Sequence, residues 1–490
     1  MANDDQAHGA ANGRPRVVVV GGGFAGYHAT RALARSMGDA VEIVLVSPTN
    51  YFLYLPLLPE VAAGILEPRR ISVSLADALP AGVRTMAGEV DEIDLAARTV
   101  RWVDPEANRQ GITYDRLVLA AGSVHQLQPI PGVSDHAHGF RGVPEALYVR
   151  DHLIRQIDLS AASDDPAEQE ARRTFVVVGA GYTGTELAAQ GQLFTEMLAR
   201  SRGLPEHSTR WVLVNRSRVL SGLDRHLADT ADRVLRERGL DVRTGTTVEE
   251  ATVSGVRLDT GEYIPTRTLL WCVGVRADPL LMSLGLDVVK GRVVVEPELT
   301  VPGHPDVFAC GDAAAVPDPG RPGQITAMTA QHAVRQGKLA ARNVAASLGA
   351  HRRMRRYRHR DLGFVVDLGG TQAAANPLHI PLSGLPAKVM ARGYHLLSMP
   401  GNRVRTAVDW ALDALLPRQT AQLGLVRSDA VPLDTSSPEV PQSPLGFPPR
   451  LPPEPSVTSE PSVTPEPSVT PEPSVTPEPP ERSAAVDRRD

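Results

Sequence analysis

Two glycine turns carry the strongest chemistry in this 490-residue chain: Gly21, Gly23 and Gly26 in VVVVGGGFAG, and Gly179, Gly181 and Gly184 in FVVVGAGYTG. Each follows a run of valines and opens an amphipathic helix, the layout that seats a pyrophosphate on helix N-terminal amides. The first glycine permits the tight bend, the second lets backbone approach phosphate, and the third lets the helix pack on its strand. Phe24 and Ala25 follow the second glycine in the first turn, and Tyr182 and Thr183 form the tip of the second. Two such turns in one chain predict two dinucleotides facing each other, a flavin and a nicotinamide placed to exchange a hydride.

Other candidates stand at strand ends. Ser47 occupies the position after the second strand where an acidic residue normally holds a ribose hydroxyl, a contact that a neutral hydroxyl makes more weakly. The corresponding position of the second unit is Asn215, followed by Arg216 and Arg218. A carboxylate there would favour NADH and an arginine the 2′-phosphate of NADPH, so the choice of nicotinamide stays open. In DVFACGDAA, Gly311-Asp312 ends a buried strand, where a carboxylate reaches sugar hydroxyls across the sheet edge or caps the next turn. In TAQHAVRQG, Gln331 and Gln336 offer neutral amides on a helix whose N-terminus would stabilise negative charge on a reduced flavin. His332 in the same helix reads either as a proton donor or as a partly exposed histidine with no duty. Glu186 is placed in the first turn of the second glycine helix, as a dipole-stabilised carboxylate or a functional one.

These residues need scaffolding that the rest of the sequence supplies. Continuous β-branched strands around the glycine helices predict an α/β fold with two Rossmann-type domains, the nicotinamide domain inserted into the flavin domain. The boundaries are read as a disordered N-terminus over 1–14, the flavin domain over 15–145 and 277–350, and the nicotinamide domain over 146–276. A C-terminal α+β segment follows over 351–425, then a disordered Pro-rich tail over 426–490 in which EPSVTP recurs. The stretch from Tyr51 to Leu75 reads as irregular. Cys272 and Cys310 lie far apart with no redox spacing, so electrons must leave the flavin without a dithiol. A net charge of -5 argues against a nucleic-acid binder, and no metal-ligand spacing stands out. The N-terminal residues lack the apolar core of a secretory signal and no apolar run is long enough to span a bilayer, which predicts a cytoplasmic protein or one on the cytoplasmic face of a membrane. Helices expected near 385–398 and 403–416 bear Val404, Val408, Ala411, Leu412 and Leu415 on one face, with Lys388, Arg392, Arg403 and Arg405 as positive charge. That pattern suits an anionic leaflet, a homodimer interface or a core-facing helix.

The combination GGGFAG, LVLAAGS, GAGYTGTE, LLWCVGVRADPL, DVFACGDAA and TAQHAVRQG resembles the type II NADH dehydrogenases, together with NYFLYLPLLPEVAAG and YRHRDLGFVVDLGG. The resemblance covers about Arg16 to Leu423. It implies FAD held by Gly21, Gly23, Gly26, Val90 and Asp312, and NAD(P)H held by Gly179, Gly181, Gly184 and the Glu186 region. Gly122, Gly274 and Gly311 are added as cofactor-binding glycines of the matching motifs. It further implies hydride transfer to flavin, then two electrons to a membrane quinone near Gln331 and Gln336, on a protein peripheral to the inner face of the cell membrane. Three departures stand out: Ser47 and Asn215 replace expected acids, and Asp361-Leu362-Gly363 stands where the family commonly has D-K-G. A soluble reductase of a ferredoxin-like acceptor and a redox-sensing flavoprotein scaffold remain as alternatives.

Overall fold

The computed structural model describes residues 13–223, 225–359 and 363–433. The expected disordered N-terminus, apart from its last two residues, and the expected tail from 434 onward lie outside them, as do Asp361 and Leu362.

The valine run Arg16–Val20 lies centrally in a six-stranded sheet, between Glu42–Ser47 and Arg116–Leu119, both parallel to it. Val83–Ala87 and His304–Ala309 extend the parallel array, and Thr300–Val301 closes one edge antiparallel. Val17, Val18 and Val19 are wholly buried, because a parallel sheet is covered on both faces. A second sheet of five parallel strands runs in the order Ala137–Gly139, Thr268–Trp271, Thr174–Val178, Arg210–Asn215, Asp241–Thr244. The chain crosses between the sheets on an antiparallel pair, Ser123–His125 with Val275–Ala277. The first crossing therefore precedes the boundary read at 145/146, and the strand Ala137–Gly139 already belongs to the second sheet. Its short length and lack of a β-branched run gave no strand signal.

Three further differences bear on function. The Tyr51–Leu75 stretch is ordered: Tyr51–Leu53 pairs with Ser72–Ser74, and the helices Leu58–Ala62 and Pro68–Ile71 lie between them. Its Pro residues stand at helix starts, where a missing N–H costs nothing, so what reads as breakage is capping. The C-terminal segment forms a small sheet (Val365–Asp367, Ala373–Ala375, Leu382–Ser383) followed by the helices Gly384–Ser398 and Arg403–Leu415. Packed chain also continues past 425, where Val431 and Leu433 are buried, and just before it the Gly424 N–H donates to Asp151 at 2.6 Å. Leu433 joins the apolar cluster of Val176, Val178 and Trp271 on one face of the second sheet.

The helix Ala330–Ser347 lies against the first glycine helix, Phe24–Met37. Gly337 sets their separation, since a Cβ there would run into the carbonyl of Ala25. Gly337→Val is expected to cost about 1–3 kcal/mol through forced separation of two packed helices, read as a lower urea midpoint at unchanged m-value. An unchanged midpoint would show that the crossing has slack.

Candidate functional site: two glycine cradles and a buried charge cluster

In the first turn Gly21 adopts φ +101°, and its Cβ would strike the Ala120 carbonyl. A Cβ on Gly26 would strike the carbonyl of Gly21. Gly23 differs: it is the extended N-cap of Phe24–Met37, and an added Cβ meets no protein atom within 4 Å. The second turn repeats the pattern. Gly179 has φ +103° and faces the Cys272 carbonyl, Gly184 faces the Gly179 carbonyl, and Gly181, again an extended N-cap, has nothing within 4 Å. In both turns the outer glycines are required by the protein's own packing, while the middle one borders free space at a helix N-terminus. A dinucleotide pyrophosphate fits that arrangement, because it needs backbone amides unobstructed by a side chain.

Around the first cradle, Ser47 is 3% exposed at the end of its strand, and its Oγ lies beside Gly22. Val90 is half-buried at a bulge in Glu89–Asp94. Gly122 (φ +82°) and Gly274 (φ +118°) flank the two crossing strands. Phe24 stacks edge-on with Phe52 at 5.0 Å, and Ala25 is buried where a Cβ on Gly311 would press at 2.7 Å. Asp312 accepts a hydrogen bond from Ser123 Oγ at 2.8 Å, and burial raises its pKa against the opposing pull of that bond and of Arg292.

The two glutamines have different surroundings. Gln336 is fully buried: its Oε1 accepts the Gly311 N–H at 2.8 Å and its Nε2 donates to Thr326 Oγ1 at 3.0 Å. It thereby braces the turn that presents Asp312. Gln331 lies one residue into the helix, with Nε2 donating to the Gly363 carbonyl at 2.8 Å and Oε1 accepting from Arg335 at 3.2 Å. His332 is not a partly exposed bystander. It is 9% exposed, its Nδ1 lies 2.7 Å from the Tyr357 hydroxyl, and burial lowers its pKa to about 4, which keeps it neutral at physiological pH.

In the second unit, Asn215 is occupied with its own loop. Its Oδ1 accepts the Ala180 N–H at 3.2 Å, and its Nδ2 donates to the carbonyls of Ser217 and Arg218. Arg216 is exposed beside it. Tyr182 is 40% exposed at the tip, 6.3 Å from the ring of Phe364, with Thr183 half-buried next to it.

Glu186 lies beyond the first turn of Tyr182–Ser201, which contains no acidic residue, so dipole stabilisation does not account for it. Its Oε1 instead accepts the backbone N–H of Asp367 at 2.9 Å, and burial with the nearby Asp367 and Glu60 carboxyls raises its pKa well above the usual carboxylate range. Lys388 and Arg392, read as leaflet-facing charge, turn inward. Lys388 is 4% exposed and donates to Asp367 Oδ2 at 2.5 Å, and Arg392 stacks over Trp410 at 4.9 Å. Glu60, Asp367 and Lys388 escaped the sequence analysis as a group because they come from separate elements with no shared spacing. The available signal was a carboxylate in the middle of the apolar run LYLPLLPEVAA.

Both cysteines are free, and burial pushes each thiol up to about 12, so neither is poised for redox chemistry.

The pyridine nucleotide-disulphide oxidoreductase family model matches residues 15–337. The type II NADH:quinone oxidoreductase NdhA of Mycobacterium tuberculosis is 36% identical over 324 residues, 63% of this chain and 68% of that protein. The demethylphylloquinone reductase NdbB of Synechocystis is 30% identical, covering 77% of this chain and 90% of that one. Among solved structures, NDH2 of Plasmodium falciparum in complex with NADH superposes with a TM-score of 0.75 at 15% identity, over 83% of this chain and 100% of that one, which supports the fold. The chain thus belongs to the pyridine nucleotide-disulphide oxidoreductases and, within them, to the type II NADH dehydrogenases.

Proposed function

We infer that this protein is an FAD-dependent NADH:quinone oxidoreductase, a reading carried by the paired cradles in a chain whose relatives are named as quinone reductases. FAD, when bound, would supply the two-electron chemistry that links NADH to the quinone. The chain's own residues do the placing. Gly21, Gly23 and Gly26 with Asp312 would hold FAD, supported by Ser47, Val90 and the Gly311 turn that Gln336 braces. Gly179, Gly181 and Gly184 would hold the nicotinamide, with Tyr182 and Thr183 at its entrance. Asn215 puts no carboxylate against a 2′-phosphate, so discrimination against NADPH should be weak. Gln331, at the N-terminus of its helix beside Gly363, stands on the proposed quinone side, and Glu186 would handle a proton there.

The quinone partner is best reached from a lipid surface. The helix Arg403–Leu415 carries its amphipathicity inside out: Val404, Val408, Leu412 and Leu415 are 77%, 49%, 47% and 80% exposed. Its polar face is the one spoken for, through Arg70–Asp409, Arg418–Asp413 and the buried Trp410. Leu385, Val389 and Leu397 of the preceding helix are exposed as well, and Arg403 and Arg405 flank the stripe. No helix among the described residues is long and apolar enough to cross a membrane. Inserting several such side chains into an acyl layer contributes on the order of 5 kcal/mol, enough for reversible attachment.

Gly23→Val is expected to lose FAD absorbance in a folded protein. Gly181→Val should keep FAD while raising the KM for NADH strongly. Full flavin in the first variant or an unchanged KM in the second would refute the assignment of the cradles.

Replacing Val404, Val408 and Leu412 by Ser alters stability little, since all three are already exposed. The triple variant should lose binding to anionic vesicles and most turnover with vesicle-borne quinone, while turnover with a soluble dye persists. Vesicle binding unchanged from wild type would contradict the lipid surface, and wild-type dimers that the triple substitution splits would assign the face to a second copy.

A further inference from the structure

Glu60 has no part in either cradle, yet it is the most confined carboxyl of the C-terminal cluster. It lies on Leu58–Ala62, 3% exposed, with Oε2 accepting the Trp410 indole N–H at 2.5 Å and Oε1 buried without a hydrogen-bond partner. The charges that act on it come from separate elements: Asp367 from the small sheet, and Lys388 and Arg392 from the helix Gly384–Ser398. Glu186 joins them from the nicotinamide domain through the Asp367 backbone N–H. His395, hydrogen-bonded to Tyr54 at 3.1 Å, is held neutral by burial. The three carboxyls thus face Lys388 and Arg392, with Arg238 of the nicotinamide domain also acting on Asp367, and a buried carboxylate with an unsatisfied oxygen is costly. The cluster is relieved when one carboxyl keeps its proton. Burial and the Asp367 charge push Glu60 up to about 7.

Reducing a quinone to its quinol takes two electrons and two protons. NADH supplies both electrons and one proton equivalent as hydride, so each turnover draws one more proton from water. We propose that Glu60 stores that proton. Its carboxyl O–H breaks during quinone reduction, the proton passes through the Asp367–Lys388–Glu186 cluster to a quinone oxygen, and the carboxylate regains a proton from water. Glu60 neither gains nor loses electrons. It touches no reacting atom in this scheme and acts as a positioning residue for a proton. The inference rests on the quinone-reductase reading.

The test uses the full FAD-loaded chain, with a water-soluble menaquinone analogue as one acceptor and ferricyanide, which takes electrons without protons, as the other. Wild-type kcat with quinone is expected to fall as pH rises through about 7, while the ferricyanide rate shows no such limb. Glu60→Gln preserves shape and an acceptor for Trp410 but holds no titratable proton. It should lower quinone kcat about tenfold below pH 7 and flatten the limb, leaving ferricyanide turnover unchanged. Trp410→Phe keeps Glu60 but removes a donor that favours its carboxylate, so the limb should move to higher pH. A Glu60→Gln profile identical to wild type, equal losses with both acceptors, or an unmoved limb in Trp410→Phe would overturn the proposal. A wild-type protein that reduces ferricyanide but no quinone would instead overturn the quinone reading itself.

Discussion

The structure depends on two places where the chain turns from strand to helix too tightly for any side chain. At Gly21 and Gly26, and again at Gly179 and Gly184, a carbonyl oxygen occupies the position a Cβ would take. That contact brings each helix close to its strand and leaves open space where a side chain of the N-cap residues Gly23 and Gly181 would lie. It also sets which strands can be neighbours, because the carbonyls of Ala120 and Cys272 belong to the next parallel strand of each sheet or the turn that leaves it. The same economy of side chains governs the crossing of Phe24–Met37 and Ala330–Ser347 at Gly337, which places Gln336 where it can hold the Gly311 N–H.

A second constraint is electrostatic and ties the C-terminal segment to both domains. Arg238, from the nicotinamide domain, donates to the Leu368 carbonyl, and also to the Ala189 carbonyl at 2.8 Å. Asp367 is bonded through its backbone to Glu186 and through its side chain to Lys388. Trp410 donates to Glu60 in the first domain. Those bonds consume the polar faces of the last helices, and the apolar faces are left pointing outward. The outward apolar stripe is therefore the consequence of an inward polar one, and the two features share one cause.

The glycine turns and the valine strands were legible because their physics is local: a bend that only glycine tolerates and a strand buried on both faces. Asp312 was legible for the same reason, at the end of a recognisable strand. Long-range partners were not. Asn215 reads as a ribose contact, but its carboxamide closes a loop with Ser217 and Arg218. Lys388 and Arg392 fall among basic residues flanking an apolar stripe, and nothing in their spacing reveals the buried Asp367 and Trp410 that turn them inward. Gln336 matched a motif without disclosing that both ends of its amide are engaged within the protein. Val431 and Leu433 lie beyond the last helical pattern, and two isolated apolar residues give no periodicity to read.

On the proposed function, electrons pass from a nicotinamide in the second glycine cradle, through a flavin in the first, to a quinone. Anaerobic rapid mixing of the purified yellow protein with NADH, followed by a second mixing with a menaquinone analogue, tests it most directly. The flavin absorbance is expected to bleach on the first mixing and to return on the second, each at least as fast as steady-state turnover. Flavin that bleaches with NADH and is not reoxidised by quinone on that timescale would contradict it.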